Sequence, residues 1–198
     1  MSAEPTKTLI LASSSPYRRE LLQKLTLDFI SLAPNIDETE KANETPDELV
    51  SRLALEKAEA IAKDNPNALI IGSDQVAVLG EEILTKPQTY KRAHKQLSMA
   101  SGKRVKFLTS LCLYNSANNK YQLKVVTYFV DFLALSEEQI EHYLRKEQPY
   151  DCAGSFKSEG LGITLFASMS GDDPNTLIGL PLIALTSMLR NEGIEPLS

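Results

Sequence analysis

Near the start of the chain the sequence reads Leu9-Ile10-Leu11-Ala12-Ser13-Ser14-Ser15-Pro16-Tyr17-Arg18-Arg19-Glu20-Leu21-Leu22. The apolar run is typical of a short buried strand, the three serines favour a turn, and Pro16 suits the first position of a helix. The apolar residues Leu21, Leu22 and Leu25 then share one face of that helix. The sequence therefore predicts a strand and a helix joined by a loop rich in hydroxyl groups.

The first turn of this predicted helix carries two cations, Arg18 and Arg19. A helix N-terminus already has partial positive charge, which disfavours Lys and Arg there. A bound anion would offset both charges, and phosphate suits the free N–H groups, the hydroxyls of Ser13 and Ser15, and the guanidinium groups. The alternative is a serine N-cap followed by solvated arginines. From this stretch alone both interpretations stay open.

The composition is that of an ordinary globular protein, with 198 residues, 42% hydrophobic and 24% charged. This length predicts one folding unit, a single domain over residues 1–198 with a cleft. The net charge of -5 provides no general basic field of the kind that holds long nucleic acids. An anionic ligand must therefore be bound by a local cluster of cations.

The two cysteines, Cys112 and Cys152, lack the spacing of metal ligands. We expect buried free thiols in a reducing compartment. The apolar run Leu9–Ala12 is too short for the core of a signal peptide or for a membrane span. These features predict a cytoplasmic protein with no membrane partner.

A lysine lies on the apolar face of another predicted helix. Thr45-Pro46-Asp47-Glu48 is typical of a helix start, and the helix is predicted to end near Lys63. Lys57 follows Leu53 and precedes Ile61 by four residues each, so it lies on the inward face. A lysine in that position indicates a nearby anion, although its side chain could also extend to the surface.

A carboxylate interrupts the apolar run Ala68–Leu79, which otherwise predicts a buried strand. Burying an unpaired carboxylate costs several kcal/mol, so Asp74 must be paired, bound to a metal or open to a cleft. A structural ion pair and a catalytic role are both consistent with this. Gly72, two residues earlier, is expected to let a ligand approach the backbone closely.

The remaining segments predict an α/β fold with a mixed β-sheet in two lobes around a cleft. Glu38 lies in an acidic loop, and Lys86 lies in the turn Thr85-Lys86-Pro87. Strands are expected at Asp28–Ala33, Lys103–Tyr114, Tyr121–Leu135 and Ile163–Met169, and helices at Thr89–Ala100, Ser136–Lys146 and Leu180–Asn191. Of these strands, the second and third should form an antiparallel pair.

Seven short motifs occur in order along the chain. They are Ala12–Arg19, Asp37-Glu38, Glu56-Lys57-Ala58, Gly72-Ser73-Asp74-Gln75, Lys86-Pro87, Ala153–Gly160 and Gly179-Leu180-Pro181. Together they resemble the Maf family of nucleoside triphosphate pyrophosphatases, over nearly the whole chain. The resemblance implies an inosine-triphosphatase-like α/β fold, a divalent metal cation (Mg²⁺ or Mn²⁺) and cleavage to a nucleoside monophosphate and pyrophosphate.

Within that family the chain most resembles the YceF-like branch, which hydrolyses 7-methyl-GTP. The dTTP/UTP branch typically has Arg in place of Tyr17, Thr in place of Gln75 and Gln in place of Glu159. Methylation at N7 makes guanine cationic, so an aromatic face and a carboxylate would favour it. The resemblance therefore makes these three residues the candidates for substrate specificity.

The resemblance also implies roles for the charged residues. Asp74 is implied as the general base, and it could equally be a metal ligand. Because a lone carboxylate seldom holds Mg²⁺ firmly, Glu38 is the second candidate for a metal ligand or a water-positioning group, although a solvated acidic loop is the alternative. The phosphate-binding candidates are Ser13, Ser15, Arg18, Arg19, Lys57 and Lys86.

Three other functions are alternatives to this one. A dTTP/UTP-type pyrophosphatase is the first, and a nucleotide-binding regulator of cell division without turnover is the second. An RNA-binding protein is disfavoured by the net charge and by the lack of an aromatic and basic platform. A nucleotide is thus the expected partner, and a second copy of the chain, forming a homodimer, is retained as a candidate.

Overall fold

The computed structural model describes residues 7–197, and within this range it contains six helices and one seven-stranded sheet. The strands are β1 (Thr8–Ala12), β2 (Ile30–Leu32), β3 (Ala68–Leu79), β4 (Glu82–Leu84), β5 (Arg104–Asn115), β6 (Lys120–Phe132) and β7 (Phe166–Ser170). The helices are α1 (Pro16–Gln23), α2 (Pro46–Ala62), α3 (Tyr90–Ala100), α4 (Glu137–Glu147), α5 (Asn175–Ile178) and α6 (Leu182–Asn191).

The sheet is mixed, with strand order β2-β1-β3-β5-β6-β7 and β4 paired to β3. Strand β1 is parallel to β2 and β3, whereas β4 is antiparallel to β3 and β7 is antiparallel to β6. Strands β5 and β6 are neighbours joined by residues 116–119, a connection short enough only for an antiparallel pair. The predicted α/β class with a mixed sheet is confirmed.

The chain forms two compact units, and strands β3, β5 and β6 contribute residues to both. Among the described residues the first unit comprises 7–74, 109–126 and 179–197. In it α2 packs on β1 and β3, since Ala54 and Ala58 share a buried cluster with Ile10 and Ile70. The small side chains of α2 allow this close approach of helix and sheet.

The second unit comprises residues 75–108 and 127–178. Its core centres on four phenylalanines, Phe107, Phe132, Phe156 and Phe166, whose rings meet edge to face at centroid distances of 4.8–5.6 Å. Edge-to-face packing suits the quadrupoles of aromatic rings. Because Phe156 belongs to a loop, this packing anchors the loop residues on either side of it.

Most of the predicted elements are confirmed, and helix starts were the most accurate. Thr45 caps α2 in a capping box with Glu48, and Ser136 caps α4 in the same way. The predicted strand Ile163–Met169 begins later, because Leu161–Leu165 forms a 3₁₀-helix. Strand β4 was missed because it has only three residues.

Both cysteines are free, Cys112 buried and Cys152 half-buried, and burial raises the pKa of each thiol to about 12. Within residues 7–197, no helix combines the length and the apolar character that a membrane crossing requires. The prediction of a single domain over residues 1–198 stays a prediction.

Candidate functional site

The turn between β1 and α1 is held by serine side chains. The Oγ of Ser13 accepts a hydrogen bond from the backbone N–H of Ser15 at 3.1 Å. Ser15 is the N-cap of α1, and its Oγ accepts from the backbone N–H of Arg18 at 3.4 Å. Both predicted phosphate-binding serines therefore stabilise the start of a helix, where N–H groups and the helix dipole favour an anion.

Arg18 is oriented by a backbone carbonyl far away in the sequence. Its Nε donates to the carbonyl oxygen of Gly179 at 2.9 Å, and the Oγ of Ser73 donates to the same oxygen at 3.0 Å. Gly179 has a φ of +117°, a conformation that side chains rarely adopt. Burial lowers the pKa of Arg18, while the charges of Asp74 and Glu38 oppose that shift. Arg18 thus lies in the field of both predicted carboxylates.

Lys57 joins the two carboxylates directly. Its Nζ lies 2.6 Å from Oδ1 of Asp74 and 2.9 Å from Oε1 of Glu38. Lys57 is only 5% exposed, and Asp74 is also buried. The side chain of Glu38, by contrast, is 57% exposed. The predicted anion near Lys57 is therefore Asp74, and the predicted partner of Asp74 is Lys57. We name Arg18, Glu38, Lys57 and Asp74 the charged cluster.

The backbone of Asp74 is fixed by a buried hydroxyl on the neighbouring strand. The Oγ of Ser110 on β5 accepts from the backbone N–H of Asp74 at 3.3 Å and donates to the carbonyl of Val50 at 2.5 Å. This contact ties β3 to both β5 and α2. The position of the Asp74 carboxylate is therefore set by three elements.

Gly72 has a different role from the predicted one. A Cβ atom at this position would collide with the carbonyl oxygen of Ala54 and would meet Cβ of Ala58 at 3.2 Å. The space beside Gly72 is thus filled by α2. The glycine allows helix and strand to pack closely and does not admit a ligand, so this prediction is wrong.

One group that the sequence analysis missed is Arg52 on α2. Its guanidinium contacts Glu44, Glu56 and the carbonyl of Thr39, which holds the loop carrying Glu38. A charged residue eight positions from its partner gives no pattern in the sequence. The helical spacing of Arg52 and Glu56 was the one available signal.

In the second unit, Gln75 binds the backbone of α5. Its Nε2 donates to the carbonyls of Thr176 at 2.7 Å and Leu177 at 3.2 Å. The amide donor is therefore engaged with protein in this structure. A role for Gln75 in base recognition stays a prediction.

Lys86 and Glu159 are exposed, on loops whose backbones are held by polar side chains. Gln96 on α3 donates from Nε2 to the carbonyl of Thr85 at 2.9 Å, and its Oε1 accepts from Oγ of Ser155. The hydroxyl of Tyr143 accepts from the backbone N–H of Lys157 at 3.1 Å. Burial raises the pKa of Tyr143, so this hydroxyl stays protonated.

Tyr17 and Arg19 lie on either side of Arg18 in α1. Tyr17 is half-buried, and Arg19 is exposed. Arg19 lines a cavity of about 450 Å³ together with Gln23, Asp28 and residues of β2. The contacts described above for the charged cluster do not involve Arg19, and its role in phosphate binding stays a prediction.

The donor set for a divalent metal is small. Within residues 7–197 no group of three or more His, Cys, Asp and Glu side chains converges on a single point. Mg²⁺ is nevertheless bound in many proteins by one or two carboxylates together with substrate phosphates. Glu38 and Asp74, which converge on Lys57, fit that arrangement.

Comparison with known proteins identifies the family of this chain. A family model described as Maf-like protein matches residues 8–192. The chain belongs to the Maf family. The match includes every residue of the charged cluster and the loops of Lys86 and Glu159.

Two curated relatives of this Maf chain are similar over nearly their whole length. The chain is 56% identical over 192 residues to a protein of Colwellia psychrerythraea, covering 97% of this chain and 96% of the relative. It is 57% identical over 192 residues to a protein of Alcanivorax borkumensis, covering 97% and 98%. Both relatives are named 7-methyl-GTP pyrophosphatase.

A likeness to a solved structure is much weaker. The Ham1 protein of Staphylococcus aureus is 17% identical and has a TM-score of 0.46, covering 65% of this chain and 73% of that one. At that level the likeness has no bearing on the function of the Maf chain.

Proposed function

We propose that this Maf protein hydrolyses 7-methyl-GTP to 7-methyl-GMP and pyrophosphate. The observation that carries the proposal is the charged cluster, in which a buried lysine joins two carboxylates beside an arginine at a helix start. Such a cluster provides cations that can bind phosphates and a carboxylate that can accept a proton from a water molecule. The names of the relatives, at 56–57% identity, support the choice of substrate.

The triphosphate would bind to the cations and to the N-terminus of α1. The Nε of Arg18 donates a hydrogen bond to the carbonyl oxygen of Gly179, and this contact orients the guanidinium group. Lys57 and Lys86 add two ammonium groups, and the hydroxyls of Ser13 and Ser15, which accept hydrogen bonds from backbone N–H groups, add two O–H donors. These contacts would neutralise the charge that develops on the departing pyrophosphate.

Asp74 would accept the proton of the attacking water. Its Oδ1 is held by Lys57, and its backbone is held by Ser110, so the carboxylate has one fixed direction. A general base must lie within hydrogen-bond distance of the water that it activates. When the water attacks phosphorus, the bond to the bridging oxygen breaks and pyrophosphate leaves with the electron pair.

A divalent cation, Mg²⁺ or Mn²⁺, would be held by Glu38 and Asp74 together with phosphate oxygens of the substrate. When bound, it would neutralise phosphate charge and lower the pKa of the attacking water. Lys57 lies between these two carboxylates in the structure. The phosphates would attract Lys57 at the same time, so metal and nucleotide would bind together.

Recognition of the base would use Tyr17, Gln75 and Glu159. A methylated guanine carries a positive charge, so an aromatic face and a carboxylate favour it over neutral bases. Tyr17 would supply the ring, Glu159 the carboxylate and Gln75 a hydrogen bond to the base edge. The net charge of -5 argues against long nucleic acids as partners and is consistent with a small nucleotide substrate in the cytoplasm.

The proposal is tested by measuring pyrophosphate release from a panel of nucleotides with Mg²⁺ or Mn²⁺. We expect the highest kcat/KM for 7-methyl-GTP. A preference for dTTP and UTP would assign the chain to the other pyrophosphatase branch. Tight binding of nucleotides with no product would indicate a nucleotide-binding regulator, and either result would overturn the proposal.

A further inference from the structure

The loop between β2 and α2 is fastened to α2 by Arg52. The Nε of Arg52 lies 2.5 Å from Oε1 of Glu44, and Nη2 lies 2.7 Å from Oε2 of the same carboxylate. Nη2 also donates to the carbonyl oxygen of Thr39 at 3.1 Å. One side chain of α2 therefore binds two points of the loop, at its middle and near its end.

This contact is largely buried and has the geometry of a strong pair. The side chains of Arg52 and Glu44 are 15% and 8% exposed. Two parallel N–H···O bonds between guanidinium and carboxylate fix orientation as well as distance. The hydrogen bond from Arg52 is the main reason that the pKa of Glu44 is lowered to about 2.

The anchored loop carries Glu38 of the charged cluster. Asp37 accepts hydrogen bonds from the backbone and the hydroxyl of Thr39, which closes a tight turn around Glu38. The carbonyl on the far side of this turn is the one that Arg52 binds. Glu38 itself is mostly exposed and reaches Lys57, five residues after Arg52 on the same helix. Packing around Glu38 therefore contributes little to its position. The hydrogen bond from Arg52 to the carbonyl of Thr39 contributes more.

We infer that Arg52 is a positioning residue that places the Glu38 carboxylate at Lys57 by clamping the loop through Glu44 and the carbonyl of Thr39. The inference rests on the proposed function, because that function gives Glu38 its role. The guanidinium of Arg52 is engaged by Glu44, Glu56 and the carbonyl of Thr39, so Arg52 would act through Glu38 and not on the substrate directly. A small displacement of a group that positions a reacting atom can cost about 100-fold in rate.

A double-mutant cycle of Arg52→Gln and Glu38→Gln tests this. We expect Arg52→Gln to lower kcat for 7-methyl-GTP by about 30-fold and to raise the metal concentration needed for half-maximal activity. If Arg52 acts through Glu38, the same substitution should cost less than about threefold in the Glu38→Gln enzyme. Losses that multiply in the double variant would overturn the inference.

Three further variants separate positioning from general damage. Glu44→Gln removes the loop carboxylate that Arg52 binds and should reproduce the effect of Arg52→Gln, whereas Arg52→Lys keeps the charge but not the planar guanidinium and should not restore activity. Arg104→Gln is the matched control, because Arg104 also binds a carboxylate with two nitrogens, that of Asp131, in the other unit. It should leave kcat within about twofold of the wild-type value.

Hydrogen exchange provides a readout that does not depend on activity. In Arg52→Gln and Glu44→Gln, amides of residues 38–44 should lose protection while those of β3 and β5 keep it. Unchanged exchange in that segment would overturn the clamp, even in an active enzyme. A wild-type protein that hydrolyses no nucleotide would instead overturn the proposed function, and an unaffected Glu38→Gln enzyme would overturn the inference alone.

Discussion

The two units hold their candidate site residues in different ways. In the first unit, the ammonium of Lys57 contacts the carboxylates of Asp74 and Glu38, and Lys57 and Asp74 are buried. In the second unit, Lys86 and Glu159 are exposed, and their loops are held by neutral hydrogen bonds with Gln96 and Tyr143.

This difference suggests a division of work within the proposed reaction. Electrostatic groups act most strongly when they are buried and fixed before the substrate arrives. The first unit would therefore supply the chemistry that every nucleotide shares. Exposed side chains on anchored loops are screened by water and contribute less each, so the second unit would modulate binding and the choice of base.

The largest expected effect follows from Asp74→Asn. Loss of the general base should lower kcat by about 1,000-fold for every nucleotide. The buried ammonium of Lys57 also loses its nearest partner and keeps only Glu38, so the free energy of unfolding should fall by about 2–3 kcal/mol. Steady-state kinetics and thermal unfolding measure the two effects.

Nucleotide binding separates these two effects of Asp74→Asn. Phosphates would replace the lost carboxylate beside Lys57, so a bound nucleotide should raise the Tm of the variant more than that of the wild-type protein. Near-normal turnover of the variant would mean that Asp74 is structural. The charged cluster would then not be the site of chemistry.

Removal of the lysine gives the next largest effect. Lys57→Met should lower kcat/KM by about 100-fold, because a charge-assisted contact to phosphate is lost. The two carboxylates would then lose the ammonium group that contacts both of them, so Mn²⁺ alone should bind at least about tenfold more tightly. Calorimetric titration with Mn²⁺ in the absence of nucleotide measures this. An unchanged affinity would contradict the assignment of Glu38 and Asp74 as metal ligands.

A smaller effect is expected from Gln96→Ala in the second unit. Both loops that Gln96 holds should become more mobile, which should raise KM by about tenfold and change kcat less than about threefold. Gln122→Ala is the matched control, because Gln122 also makes two hydrogen bonds, to Met188 and Asn191 in the first unit. A fall in kcat alone would mean that the second unit acts in the chemical step.

The smallest effect is expected from Glu159→Gln. Because Glu159 is exposed, its charge should contribute only about 1 kcal/mol, or a fivefold fall in the kcat/KM ratio of 7-methyl-GTP to GTP. Asp172→Asn, at another exposed carboxylate of the same unit, should leave the ratio unchanged. If kcat/KM falls equally for 7-methyl-GTP and GTP in Glu159→Gln, the carboxylate accepts hydrogen bonds from guanine and does not distinguish its charge.

Local patterns predicted much of the fold and the centre of the candidate site. The start of α2 could be predicted because Thr45 and Glu48 form a capping box within four residues. The sequence predicted that Lys57 pairs with an anion, because Lys57 interrupts the apolar face of a helix and Asp74 interrupts an apolar strand. In each case the signal lay within one element.

Contacts between distant segments could not be predicted in this way. The carbonyl that orients Arg18 is 161 residues away, and the carboxylate that binds Arg52 lies in a loop with no periodic pattern. Gly72 was misinterpreted for a related reason. Its neighbour is the backbone of α2, and the sequence does not reveal which element fills the space beside a glycine.

In the proposed reaction, the charged cluster cleaves 7-methyl-GTP between its α- and β-phosphates. Product analysis by ³¹P NMR, with wild-type protein and Asp74→Asn at equal concentration, tests it most directly. We expect 7-methyl-GMP and pyrophosphate in equal amounts from the wild-type protein and neither product from the variant in the same time. Inorganic phosphate as the first product would contradict cleavage between the α- and β-phosphates. Equal turnover by both proteins would contradict the role of Asp74 and its cluster.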